Sequence, residues 1–268
     1  MDYIVPNSNI KLDISKFGFG PLAPNSIQNW AGSQEYNSFL NHSKDPIKKS
    51  ALDKLSWTAD NVKYRANDFG YRMDENFSTI IGNECAVYLG CSITFGVGLN
   101  LEDTWGWKHS QSRGLEYVNL SWPGSGVETY YRMLKVWAST LNIKRVYTLG
   151  SFFGRREILS STSNATHWSG NKKTNVIMLG HWNKDNERAI LYSGISDNDE
   201  LKISYLRTWD SIIGICSLNN IELLILSDSH RKKLSKFLDN NARDLMHTGP
   251  KWHTEIANSS ESVWERLA

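Results

Sequence analysis

From residue 84 onward, short apolar runs alternate with longer stretches of helical periodicity, and this alternation restricts the fold more than any other feature. The runs are C-A-V-Y-L-G at 85–90, Y-V-N-L at 117–120, R-V-Y-T-L-G at 145–150 and I-E-L-L-I-L-S at 221–227. Continuous apolar runs of this length suit strands buried on both faces, as in a parallel sheet. Between them, Val127, Tyr130, Tyr131, Leu134, Trp137, Ala138 and Leu141 recur at steps of three and four. Leu201, Tyr205, Trp209, Ile212 and Cys216 do the same, and Ile256, Val263 and Leu267 mark one face of a final helix. Strands alternating with such helices make βαβ units and an α/β fold. Right-handed crossovers then place helices on both faces of the sheet.

Residues 1–82 have a different texture: polar, rich in Asn, Ser and Gly, with scattered apolar positions. One helix is expected there, from about Pro46 to Tyr64. The remainder reads as loop packed on its neighbour, with too few periodic apolar positions for a core of its own. The expected division is an N-terminal extension, 1–82, and a main domain, 83–268. Residues 154–196 interrupt the main domain. Here T-N-V-I-M-L-G-H-W and E-R-A-I-L-Y-S, separated by N-K-D-N, read as an inserted β-hairpin after the third strand. Ligands bind such sheets at the strand C-terminal ends, so the insertion either covers a site or is an extra edge hairpin.

Composition removes several function classes. The 268 residues carry 30 Lys plus Arg against 28 Asp plus Glu, a net charge of +2 without a long basic run. That balance argues against a nucleic-acid partner. Apolar runs such as Leu223 to Leu226 fall far short of the ~20 residues that cross a bilayer, so no membrane partner is expected. The opening M-D-Y-I-V-P-N-S-N has neither the basic start nor the apolar stretch of a secretory signal. Cys85, Cys91 and Cys216 cannot all pair, so a cytoplasmic or otherwise reducing compartment is expected. The oligomeric state stays open. The 11 tryptophans supply core, and those at the surface suit stacking on sugar-like ligands.

Three segments carry side chains suited to chemistry. In L-G-C-S-I-T-F-G-V-G (89–98), a buried strand ends at Gly90 and Ser92 follows in a glycine-flanked turn at the sheet's C-terminal edge. A serine held there is a nucleophile if a base reaches it, and otherwise a helix cap. In N-L-S-W-P-G-S-G (119–126), Gly124 precedes an amphipathic helix, so its N–H can face the same crevice. In A-R-D-L-M-H-T-G-P-K-W-H (242–253), Asp244 and His247 are spaced so that one tight turn sets carboxylate beside imidazole. The carboxylate then holds one ring nitrogen and leaves the other as a base. Pro250 is placed to start the last helix. Asp244, His247 and His253 also make a possible metal set. Neither a Cys cluster nor an H-E-x-x-H pattern supports that set, and the expectation is no metal and no cofactor.

Taken in order, these blocks resemble the SGNH (GDSL-type) hydrolase superfamily over residues 84–268. G-C-S-I-T-F-G matches the block usually written G-D-S, with Ser92 at the nucleophile's place. N-L-S-W-P-G matches the block whose glycine, here Gly124, is an oxyanion donor, and Asp244 and His247 match D-x-x-H. The upstream Y-R-A-N-D-F-G-Y-R (64–72) resembles the N-terminal segment of some carbohydrate-modifying members. The chain departs from the family twice. Cys91 replaces the Asp before the serine, either as packing or as a rival nucleophile. Phe152 stands where the family's third oxyanion donor, an Asn, belongs, and a lost donor typically costs ~100-fold in rate. Ser151, Arg155 or Arg156 can substitute, or an arginine can bind an anionic part of the substrate.

The resemblance implies a three-layer α/β/α sandwich with a flavodoxin-like parallel sheet, and a Ser92–His247–Asp244 triad. The N–H groups of Ser92 and Gly124 would form its oxyanion site. The implied activity is hydrolysis of a small acyl ester, such as an O-acetyl group on a carbohydrate. Trp122, Trp168, Trp182 and Trp252 would line the mouth. Activity would rise with pH as the base loses its proton, near a histidine's usual ~6.5. An O-acyltransferase of the same fold and a non-catalytic carbohydrate-binding or structural module are the alternatives.

Overall fold

The computed structural model describes residues 2–4, 11–13, 17–151, 153–159, 176–180, 198–237 and 241–268. β1 (Asp2–Ile4) pairs antiparallel with β2 (Lys11–Asp13). β3 (Ile27–Gln28), α1 (Ser33–Lys44), α2 (Pro46–Lys54), β4 (Tyr64–Arg65) and α3 (Phe77–Ile80) follow. The main run is β5 (Glu84–Leu89), α4 (Ser92–Phe95), α5 (Trp105–Arg113), β6 (Glu116–Asn119), α6 (Val127–Trp137) and β7 (Asn142–Thr148). β8 (Arg156–Leu159), β9 (Val176–Leu179), α7 (Asn198–Leu218), β10 (Glu222–Leu226), α8 (Asp228–Leu234), α9 (Pro250–Ala257) and β11 (Trp264–Arg266) complete it.

The central sheet has the order β11-β10-β7-β5-β6. Its β6–β5, β5–β7 and β7–β10 pairs are parallel, and only β10–β11 is antiparallel. The chain is therefore mixed α/β around a mostly parallel sheet, as the four apolar runs foretold. The strand order reverses between β5 and β7. A crevice opens beyond the strand C-termini at such a point, and Ser92 follows β5 there.

Register puts Tyr88, Tyr147 and Asn119 in one row across β5, β7 and β6. Tyr88 stacks on Tyr147, and Trp105 and His109 of α5 close over them with Trp264 of β11. α5 packs against α9, and α6 against α7. One contact fixes the first pair: the Trp105 N–H donates to His253 Nδ1 at 2.9 Å. Nδ1 must then be the unprotonated nitrogen, so Nε2–H donates to Thr248 Oγ1 at 3.1 Å.

Residues 17–82 share in the core rather than covering it. Tyr71, Met73, Phe77 and Ile80 belong to the main apolar cluster. Leu22, Ala31, Val62, Tyr64 and Ala66 form a second cluster with Phe95 and Val97. Three expectations need correction. The helix expected over Pro46–Tyr64 stops at Lys54, because Leu55 leaves helical geometry and Ser56 takes φ 58. α1 precedes it where loop was expected. The final helix ends at Ala257, and Val263 and Leu267 flank an antiparallel edge strand instead. Val176–Leu179 pairs with Arg156–Leu159. The second run of the expected hairpin, 187–193, lies outside the described residues.

Among the described residues, two imidazoles are wholly interior. Burial, with the nearby Arg113 charge adding to it, pulls His109 down to about 4. Burial, seconded by Arg72, pulls His253 down to about 3. An unfolded chain protonates both near pH ~6.5. Between those values the unfolded state binds more protons, so stability falls as pH falls. The urea midpoint should drop steadily from pH ~6.5 to ~4, its slope approaching two protons, and His109→Gln should remove about one of them. A midpoint flat over that window would contradict this account.

Candidate functional site

The Ser92 turn is built by close approach. A Cβ on Gly90 would lie 2.0 Å from Thr94 Oγ1, so only glycine lets α4 start directly off the strand. The Gly90 carbonyl accepts from the Trp122 N–H at 3.0 Å and the Ser125 hydroxyl at 2.9 Å. These bonds draw the 119–126 loop against the start of α4. Gly96, at φ 82, closes the turn by donating to Ser92 O and Ile93 O. Below it lies Arg72, 1 % exposed, whose guanidinium donates to Phe95 O at 2.9 Å, Gly96 O at 2.6 Å and also Leu99 O. Its guanidinium carbon sits 4.3 Å from the centre of the Tyr64 ring. Burial lowers the Arg72 pKa from its ordinary value.

Gly124 takes φ 77, and Ser125 N–H returns to Trp122 O at 3.1 Å. Asn119 Oδ1 holds the same loop through Ser121 N–H at 3.1 Å and the Ser121 hydroxyl. Among the described residues, neither the Ser92 nor the Gly124 N–H has a hydrogen-bond acceptor.

The 242–249 turn is organised by one carboxylate. Asp244 Oδ1 accepts the N–H groups of Met246 at 3.0 Å and His247 at 3.1 Å. Asp244 Oδ2 meets His247 Nδ1 at 2.6 Å. Leu245, between them, is left-handed at φ 52, a strained setting for a branched side chain, and its N–H donates to Ala242 O at 2.8 Å. The Asp244 side chain is 2 % exposed and that of His247 20 %. Burial raises the Asp244 pKa, but the His247 hydrogen bond and charge and the two N–H donors outweigh it, so it lies below the ordinary carboxylate value. The ionised carboxylate fixes the proton on Nδ1. Among the described residues, Nε2 has no hydrogen-bond partner, which leaves it as the basic nitrogen.

The two turns meet at Gly98. Its carbonyl accepts the Arg243 N–H at 3.0 Å, and a Cβ there would lie 2.9 Å from both Ala242 Cβ and Arg243 N. The structure thus brings Asp244 and His247 into direct contact and seats their turn against the loop leaving Ser92. Among the described residues, no hydrogen bond joins Ser92 Oγ to His247.

Other expected site residues are placed differently. Trp122 is 2 % exposed, packed with Phe19 and beneath the Arg132 guanidinium, and Trp252 is 4 % exposed on α9. Neither indole offers a face for stacking; both fill core. Arg156 pairs with Glu128 at 2.5 Å, so its charge is answered inside the protein rather than kept for an anion or oxyanion. Ser151 and Arg155 are half-buried beyond β7, Ser151 O accepting the Tyr205 hydroxyl at 2.9 Å. His253 is no metal ligand here, since both ring nitrogens are taken. Cys91 is a half-buried free thiol at the cap of α4. Phe152, Trp168 and Trp182 lie outside the described residues. Sequence reasoning missed Arg72 as a support of the serine turn; its signal was the 64–72 segment, read only for resemblance.

No protein-family model matches the chain. No curated protein matches it either.

Arg72 is the support whose loss is easiest to read. Arg72→Met strips three buried carbonyls of their donor and should cost about 3 kcal/mol. The denaturant midpoint checks it, and a change within about 0.5 kcal/mol, the range of an inert surface change, would refute it.

Proposed function

We propose that the chain is a serine ester hydrolase that removes a small acyl group, acetyl being the simplest, using Ser92, His247 and Asp244. One observation carries this reading. A buried carboxylate holds an imidazole at 2.6 Å with the other ring nitrogen uncommitted, on a turn seated against the serine turn at the sheet's C-terminal edge. The order of the three blocks along the chain, which resembles SGNH hydrolases, agrees with it.

His247 Nε2 takes the Ser92 proton while Oγ bonds to the ester carbonyl carbon, and the carbonyl electron pair moves onto oxygen. The Ser92 and Gly124 N–H groups face that developing oxyanion. Collapse of the intermediate reforms the carbonyl, and the alcohol leaves with the proton from Nε2. A water then gives Nε2 a proton and attacks the acyl-serine, and Oγ departs taking that proton back. Asp244 stays ionised throughout and stabilises the imidazolium. Nε2 must be unprotonated to start, so the neutral imidazole is the active form.

The finer architecture is part of the same proposal: a three-layer α/β/α sandwich with a flavodoxin-like sheet. The strand order with β5 between β6 and β7, and the helix pairs α5 with α9 and α6 with α7, support it. A carbohydrate carrier draws support from the 64–72 segment, since Trp122 and Trp252 supply no stacking face. As to membranes, among the described residues no helix is long and apolar enough to cross one.

The test is p-nitrophenyl acetate turnover. Ser92→Ala and His247→Ala should each lower kcat by at least ~1000-fold while leaving the fold intact. A fluorophosphonate should label the wild-type protein at Ser92 only. Equal turnover by Ser92→Ala and wild type would end the proposal, and labelling at Cys91 would move the nucleophile one residue back.

A further inference from the structure

We infer that a buried ring of hydrogen bonds through Glu35, Tyr64, Gly98 and Arg243 makes Tyr64 and Glu35 positioning residues, which hold the Ser92 turn and the Asp244–His247 turn in register. What is positioned rests on the hydrolase reading above; that the ring joins the two turns does not.

The ring is continuous. The Tyr64 hydroxyl donates to Glu35 Oε2 at 2.9 Å and accepts the Gly98 N–H at 2.7 Å. Gly98 O accepts the Arg243 N–H at 3.0 Å. The Arg243 side chain returns to Glu35 Oε1 through Nη2 at 2.7 Å and Nε at 3.1 Å. Both side chains of this ion pair are 0 % exposed. Burial, with the Glu35 charge adding to it, pushes the Tyr64 phenol well up, so its hydroxyl keeps the proton it donates.

Each end of the ring abuts the chemistry. Gly98 follows Val97, whose N–H bonds Ser92 O at 3.0 Å, and Arg243 immediately precedes Asp244. Both backbone polar groups of Gly98 are spent, one toward each side of the ring. The loop leaving the serine therefore cannot shift without breaking a buried bond to Tyr64 or to Arg243. Glu35 and Tyr64 lie on α1 and β4, outside the strand–helix run that carries Ser92, His247 and Asp244. A ring that served only to fill core would not need to close on both turns.

The experiment uses the full chain as wild type, Tyr64→Phe and Glu35→Gln. It reads amide exchange at Gly98 and Arg243, the imidazole Nδ1–H proton resonance of His247, and kcat and KM on p-nitrophenyl acetate. Both variants should keep the wild-type circular-dichroism spectrum. Tyr64→Phe should speed exchange at Gly98 at least about tenfold, since a buried N–H loses its acceptor. It should lower kcat about tenfold with KM within about twofold, the mark of lost alignment rather than lost binding. Glu35→Gln should speed exchange at Arg243 and shift the His247 resonance. If the wild type turns over no ester yet exchange and resonance respond in this way, the hydrolase reading fails and the ring stands. Unchanged exchange and resonance in both variants, a change in KM alone, or global unfolding of both would overturn the inference.

Discussion

A fully interior ion pair, Glu35 with Arg243, ties the first third of the chain to its last turn before α9. Two charges taken out of water repay their desolvation only when every remaining donor and acceptor is answered. Here they are. Arg243 also donates to Ala59 O, Val62 O and Asn29 O and sits over the Trp30 ring at 3.9 Å. Glu35 also accepts the Ala31 N–H at 2.7 Å. Removing either partner would strand the other charge, and with it the peptide that carries Asp244. Residues 17–82 thus brace the turn that carries Asp244 and His247, and Arg72 performs the same service on the Ser92 side.

A second clamp orders the opposite flank. Glu157 meets Arg132 of α6 through two bonds, at 2.6 and 2.8 Å, and also accepts the Thr129 hydroxyl. Together with Arg156–Glu128 this fastens β8 to α6. The segment after β7 leaves the sheet and is pinned to α6 by charge pairing. Arg156, which the sequence offered for anion binding, is one of its fasteners.

Much of the sheet was legible because its strands are buried on both faces and so read as unbroken apolar runs. Glu84–Leu89 and Glu222–Leu226 each fall within a residue of their runs. α5 was not legible: W-G-W-K-H-S-Q-S-R carries a glycine and little amphipathic contrast, and its burial rests on aromatic contacts with strands far away in sequence. β11 was misread as helix because a strand that gains its place by pairing with β10 leaves only a short, weak pattern. At the site, Asp244 and His247 could be found by spacing, since a turn brings them together. Glu35 could not: a lone glutamate on a polar helix gives no sign that an arginine from the far end of the chain will bury against it.

Leu245 sits where its side chain would rather not, and what holds it there is the Asp244 carboxylate gripping the next two peptide N–H groups. The same carboxylate aligns the imidazole. One functional group thus sets both the backbone of the turn and the orientation of the ring, so neutralising it would loosen the two together. For the proposed hydrolase, acid would therefore disarm the site by releasing backbone and ring together.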